Sequence, residues 1–145
     1  MARRTKSRAT NEITDNELEA ANRAEAMVLL IRAGYRVYRP EADAYGEDLI
    51  LRTPTGKLRA VQLKGRMTVN RTKFGHKSLW MLFPNTTFRA DVRRDWYLVP
   101  HDELYEMLKK RHGMAPSFSK EWHCRSVPAA DRKHLKKFLI VATQN

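Results

Sequence analysis

The sequence predicts an α/β fold, a single domain in which a mixed central β-sheet is flanked by helices. Three observations predict it. The chain has 145 residues, enough for one hydrophobic core and too few for two ordinary domains. One long stretch of helical periodicity is followed by several short apolar runs, each stopped by Gly or Pro. The composition is that of a globular protein, 42% hydrophobic with 6 Gly and 6 Pro and no repeat.

Arg3, Arg4, Lys6 and Arg8 open the sequence with no apolar run behind them, which predicts a disordered basic arm over 1–14 rather than a secretory signal, and a folded domain over 15–145. Thr14 or Asp15 can cap a helix that runs to about Ala33, where Gly34 ends it. Tyr35 to Arg39 alternates as a short strand before Pro40. Asp48 to Arg52 and Leu58 to Lys64 are two further strands, and Pro54-Thr55-Gly56 between them makes an antiparallel hairpin. Residues 65–77 show no period and read as a loop. Leu79–Phe83 and Trp96–Val99, ended by Pro84 and Pro100, read as central strands, with Trp96 buried. His101 or Asp102 caps a helix through Lys110, and a last helix spans about Ala130 to Ala142.

Charge narrows the partner. Lys and Arg number 28 against 16 Asp and Glu, a net +12 that favours nucleic acid or another anionic surface. No apolar run approaches the roughly 20 residues of a membrane span. The single cysteine, Cys124, excludes an intramolecular disulfide and fits a reducing cytoplasm. His112, His123, Cys124 and His134 match no common zinc spacing.

Two features point to chemistry. Glu25 falls on the helix face shared with Leu18, Ala21, Val28 and Leu29, so its carboxylate either pairs with Arg32, lies at the rim of a rotated helix, or belongs to a site. A turn centred on Thr55 sets Asp48 across from Gln62, with Lys64 at the diagonal position on the same face. Three polar groups then meet between Leu49, Ile50, Val61 and Leu63, either at a wet sheet edge or in a site.

Glu25 on the first helix, Gly46-Glu47-Asp48-Leu49-Ile50-Leu51, and Val61-Gln62-Leu63-Lys64-Gly65-Arg66 together resemble the PD-(D/E)xK nuclease superfamily, in particular its small Holliday-junction-resolvase-like and homing-endonuclease-like members. The resemblance covers residue 17 to about residue 100 and implies a restriction-endonuclease-like core. It implies that Asp48 and Gln62 hold Mg²⁺ or Mn²⁺, that Glu25 completes the metal site, and that Lys64 assists the attacking water. The sequence departs from the motif at Glu47, where the superfamily's name has proline, and at Gln62, where it has a carboxylate. Gln62 brings an oxygen but no charge, so metal affinity rests on Asp48 and Glu25.

Phosphodiester hydrolysis needs charge neutralisation at phosphorus and a water made nucleophilic near neutral pH, which a hard cation and a nearby lysine supply. From Leu49 to Ala90 there is no acidic residue and there are nine Lys or Arg, beside the acidic cluster Glu41, Asp43, Glu47 and Asp48. Lys57, Arg59, Arg66, Arg71, Lys73, His76 and Lys77 are the candidate nucleic-acid contacts, those in 65–77 as a backbone clamp. The expected partner is DNA, engaged by a homodimer or larger homo-oligomer so that both strands are reached. The alternative is a non-catalytic nucleic-acid-binding protein that keeps the fold.

Overall fold

The structure is a computed structural model that describes residues 12–42 and 46–143; most of the basic arm, with Arg3, Arg4, Lys6 and Arg8, and Asp43 of the acidic cluster lie outside them. Helix α1 spans Asp15–Arg32. Of the two possible caps Thr14 is used: its side chain accepts from the Glu17 amide and Glu17 accepts from the Thr14 amide, a reciprocal box that satisfies two otherwise orphaned donors. Gly34 then turns the chain at φ 91°, a backbone that suits glycine.

Five strands form the central sheet: β1 (Arg36–Tyr38), β2 (Leu49–Arg52), β3 (Leu58–Leu63), β5 (Leu79–Pro84) and β6 (Trp96–Pro100), in the order β1-β2-β3-β5-β6. The first three form an antiparallel meander, β3 runs parallel to β5, and β5 pairs antiparallel with β6. The predicted mixed sheet is present, and the hairpin has the predicted register, with Leu49 opposite Val61 and Leu51 opposite Arg59.

The segment predicted to be a loop contains strand β4 (Met67–Asn70) and one short helix, α2 (Arg71–Phe74). Met67, Val69 and Phe74 explain the difference: their spacing buries all three against the sheet, a pattern the surrounding charges mask. β4 pairs with a strand the sequence reading missed, β7 (Glu121–Cys124), as a separate two-stranded ribbon. Helix α3 (His101–His112) begins without a side-chain cap, because the His101 ring turns inward instead. The last helix is shorter than expected: α4 (Ala129–Leu135) gives way to a 3-10 turn at Lys136–Phe138. Leu139 then bridges Tyr97, and Ile140 donates to the Trp96 carbonyl, so the edge of β6 claims this segment as extended chain.

The sheet separates two apolar layers. On one face Leu49, Leu51, Val61, Leu63, Leu82, Leu98 and the fully buried Trp96 pack with Ala26 and Leu30 of α1. On the other, Leu79, Met81, Phe83, Tyr97 and Val99 pack with β4, Phe74 and the Leu104, Tyr105 and Leu108 side of α3. α1 is rotated from the expected stripe. Asn22, Ala26 and Leu30, four residues apart, face inward, whereas Val28 and Ile31 are 50% and 59% exposed.

Two buried polar clusters tie the second layer together. Asp131, fully buried, accepts from Arg111 and from His112, whose ring stacks on Trp122. The His101 ring, 1% exposed, accepts the Asn70 amide at Nε2 (3.0 Å), which fixes the remaining proton on Nδ1, where it is donated to Asp102 (2.9 Å). Burial pushes the His101 pKa below its ordinary 6.5, the Asp102 hydrogen bond and charge oppose this, and the Arg71 charge adds to it. The unfolded chain therefore binds a proton that the folded chain resists, and folding stability falls as pH drops below about 6.5. Urea midpoints measured from pH 8 to pH 5 are expected to fall over this window. His101→Gln should flatten that part of the profile while lowering stability at pH 8, and an unchanged profile would contradict the buried neutral ring.

Candidate active site

Asp48 precedes β2 at the end of the hairpin remote from its turn. Its amide donates to the Val61 carbonyl at 2.7 Å, and its Oδ2 accepts from Gln62 Nε2 and from the Leu63 amide, both at 2.9 Å. The carboxylate is thus fixed by two donors from β3 and by the register that brings them there. Lys64 follows directly; its amide donates to the Leu82 carbonyl of β5 at 2.9 Å, and its ammonium lies 5.4 Å from the centre of the Phe74 ring.

Gly46 and Phe74 close this end of the sheet. Gly46 has φ 89°, in the left-handed region, and a side chain there would meet both Gln62 Oε1 and the Phe74 ring at 3.7 Å. Phe74, only 5% exposed, is an apolar wall beside Lys64 and Gln62 that the sequence reading had placed in a loop. The arrangement is a half-buried group of one carboxylate, one amide and one ammonium against an apolar backing, which strengthens electrostatic interaction with a bound anion or cation.

Glu25 is engaged elsewhere. Its Oε2 accepts from Trp96 Nε1 (2.8 Å) and from Arg94 Nε (3.2 Å) and the Arg94 amide (3.3 Å), and its Oε1 accepts from Arg94 Nη2 (2.9 Å). The Arg94 side chain is fully buried, and its remaining donors reach the Thr86 carbonyl (2.9 Å) and Asn22 Oδ1 (2.5 Å). Of the readings open for Glu25, an ion pair at the rim of a rotated helix is the one the geometry supports, with Arg94 in place of Arg32 as the partner. Burial raises the Glu25 pKa, but the hydrogen bonds from Arg94 and Trp96 and the Arg94 charge outweigh it, and the carboxyl sits below its ordinary value.

Arg94 and Asn22 carry this cluster, and the sequence reading missed both. Arg94 carries no local signal, lying 69 residues from Glu25. Asn22 does carry one, being a polar residue three positions before Glu25 on the inward side of α1. Among the described residues no group of three or more His, Cys, Asp and Glu side chains is arranged to hold a metal ion.

The candidate nucleic-acid contacts divide between the two ends of β3. Lys57 and Arg59 lie at its start, where the Arg59 guanidinium stacks 3.7 Å above the Trp80 ring. Arg66, Lys73 and Lys77 follow Lys64 at the other end; seven residues of extended chain separate Lys57 from Lys64, about 23 Å. Arg71 is bound to Glu106 (3.1 Å) and lies over the Tyr105 ring, and the His76 amide donates to Asp102 (3.0 Å). Arg71 and His76 therefore brace α2 against α3, while Arg66, Lys73 and Lys77 carry no ion pair among the described residues.

Comparison with known protein families and with curated proteins gives no match. Among solved structures the fold is similar to that of a bacterial homing endonuclease, I-Ssp6803I, with a TM-score of 0.50 and 17% sequence identity over 88% of this chain and 95% of that one. The likeness places this chain in the same fold and spans nearly the whole of both.

Because Arg94 is a buried charge with one carboxylate partner, removing it leaves Glu25 half-buried and uncompensated. Arg94→Ala is expected to cost about 3 kcal/mol in urea unfolding, the scale of breaking a buried ion pair. A loss below 1 kcal/mol would show that the cluster does not hold α1 to the sheet.

Proposed function

We propose that this chain is a metal-dependent endodeoxyribonuclease of the PD-(D/E)xK type, acting on DNA through a QxK form of the motif. The observation that carries the reading is the meeting of Asp48 and Gln62 at the open end of the β2–β3 hairpin, with Lys64 two residues further along the same strand face. The overall likeness to a homing endonuclease supports it, as does the positive charge of Arg66, Lys73 and Lys77 beyond Lys64, which carry no ion pair among the described residues.

By donor type the residues suit a hard divalent cation, with the Gln62 amide turned over from the arrangement in which its Nε2 donates to Asp48 so that Oε1 would face the cation. Asp48 and Gln62 offer a carboxylate and an amide oxygen, the donor class that Mg²⁺ and Mn²⁺ prefer, and Mg²⁺ commonly uses one or two carboxylates together with substrate phosphate oxygens. Such a cation, when bound, supplies charge neutralisation and a more acidic water. Asp48 Oδ2 accepts from Gln62 Nε2 and the Leu63 amide, and this holds the carboxylate at the sheet end. Lys64, its ammonium beside the Phe74 ring, would orient the attacking water and offset negative charge growing on the phosphoryl oxygens. Glu25 supports the site from α1 through Arg94. A second copy of the chain would be needed to cut both strands of a duplex at symmetric positions.

One observation favours a second reading, a DNA-binding protein without catalysis. The position that is acidic in the name-giving motif holds Gln62, so the Asp48–Gln62 pair carries one carboxylate instead of two. The two readings part on cleavage. With Mg²⁺ or Mn²⁺, supercoiled, linear and four-way-junction DNA are expected to be cut by the wild-type chain. Asp48→Ala and Lys64→Ala should each reduce the rate at least 10²-fold, the scale of a lost catalytic group. Salt-sensitive binding with no cutting of any of the three would select the non-catalytic reading. Gln62→Glu sets a second carboxylate against Asp48, so it should lower the melting temperature in EDTA and make it rise more steeply with Mg²⁺ than in wild type; equal metal responses would argue against a cation at this pair.

A further inference from the structure

Asn22 is 6% exposed and lies on the inward face of α1. Arg94 Nη2 donates to its Oδ1 at 2.5 Å, so the amide plane is set and Nδ2 must point the other way. In that direction lies the chain immediately after Lys64. A Cβ built on Gly65 would stand 3.1 Å from Asn22 Nδ2, closer than ordinary van der Waals contact, so glycine is what lets the backbone pass the amide. Nδ2 makes no hydrogen bond among the described residues and is not sealed from solvent.

Held rigidly by Arg94 and open on one side to solvent, this donor can be met by water or by an acceptor on a bound molecule. What could approach it is limited by its surroundings. The Lys64 ammonium and the Arg66 guanidinium flank Gly65 in sequence, while the carboxylates of this region accept from other donors, Asp48 from Gln62 and Leu63 and Glu25 from Arg94 and Trp96. Beside these two cations, an oxygen that carries its own negative charge is the acceptor best able to take the place of water there.

We propose that Asn22 Nδ2 donates a hydrogen bond to a phosphate oxygen of nucleic acid bound at the end of β3, beside Lys64. The proposal rests on the reading of this end of the sheet as the nucleic-acid site, and it adds a substrate contact from α1 that does not depend on Glu25 or on a metal. Arg94 and Glu25 then act as positioning residues, fixing the amide that touches the phosphate. An amide donor suits a phosphodiester oxygen at this place because it makes a directional contact without adding further desolvated charge.

Two variants separate the contact from folding. Asn22→Asp keeps an oxygen for Arg94 and the same shape but removes the donor and adds a negative charge. Gly65→Ala puts a methyl group against Nδ2. The full-length chain, labelled with ¹⁵N, would be titrated with a short DNA duplex of arbitrary sequence and, separately, with inorganic phosphate, following the Asn22 side-chain amide signals, which Asn22→Asp identifies by their loss. The duplex is expected to shift those signals. Asn22→Asp should bind it roughly tenfold more weakly or worse, as for one lost hydrogen bond to a charged group, with an unchanged or higher melting temperature.

A shift with the duplex and none with phosphate at equal concentration assigns the contact to the DNA backbone; a shift with both assigns it to the phosphate group itself, and either supports the proposal. Duplex binding that leaves the Asn22 signals in place, or that Asn22→Asp does not weaken, overturns it. If the signals shift but the wild-type chain cuts no DNA, the contact stands and the nuclease reading falls.

Discussion

The buried guanidinium of Arg94 is the constraint on which the geometry near the site depends. A charge taken wholly out of water has to be matched at nearly every donor, and this one is, by Glu25, Asn22 and the Thr86 carbonyl, with Phe88 and Trp96 rings within 5.3 Å of its carbon. Those partners come from α1 and from the segment before β6, so the pairing fixes how the helix lies on the sheet. It also dictates which residues of α1 look toward the end of β3. With Glu25 committed to Arg94 and Trp96, the side chain of α1 that meets the chain after Lys64 is Asn22.

The second constraint is the register of the hairpin. Side chains alternate across a strand, so a slip of one residue would send Asp48 to one face of the sheet and Gln62 to the other. The observed pairing of Leu49 with Val61 keeps them together, and it buries Leu49, Leu51, Val61 and Leu63 under α1 at the same time. Folding energy and site geometry are thus set by one choice: the apolar pattern that secures the core also delivers the carboxylate to the amide. On the far face, Phe74 and Gly46 close the group from the side, and His101 secures β4 by accepting the Asn70 amide.

The parts of this arrangement that are local in sequence were legible there. Pro54-Thr55-Gly56 announced a tight turn, and alternation on both sides of it located Asp48 opposite Gln62; Thr14 and Glu17 announced the start of α1. The parts built from distant residues were not. β7 pairs with β4 across about fifty residues, and each is only four residues long with charged residues at its borders, so the alternation of either one is too short to stand out as a strand. Arg94 resembles any surface arginine until the fold brings it under α1. Glu25 showed itself as a carboxylate on an apolar face, but what it answers to could be found only in three dimensions. The last helix was overextended because Phe138 to Val141 continues an apolar pattern that the edge of β6 draws into extended chain instead.

The proposed chemistry requires a cation at Asp48 and Gln62, and paramagnetic broadening by Mn²⁺ reads its presence most directly. Substoichiometric Mn²⁺ added to the ¹⁵N-labelled chain in the presence of a short DNA duplex should broaden first the amide signals of Asp48, Gln62, Leu63 and Lys64 and the Gln62 side-chain amide, with the effect lost in Asp48→Ala. Broadening centred away from these residues, or none at all while the duplex is bound, would contradict it.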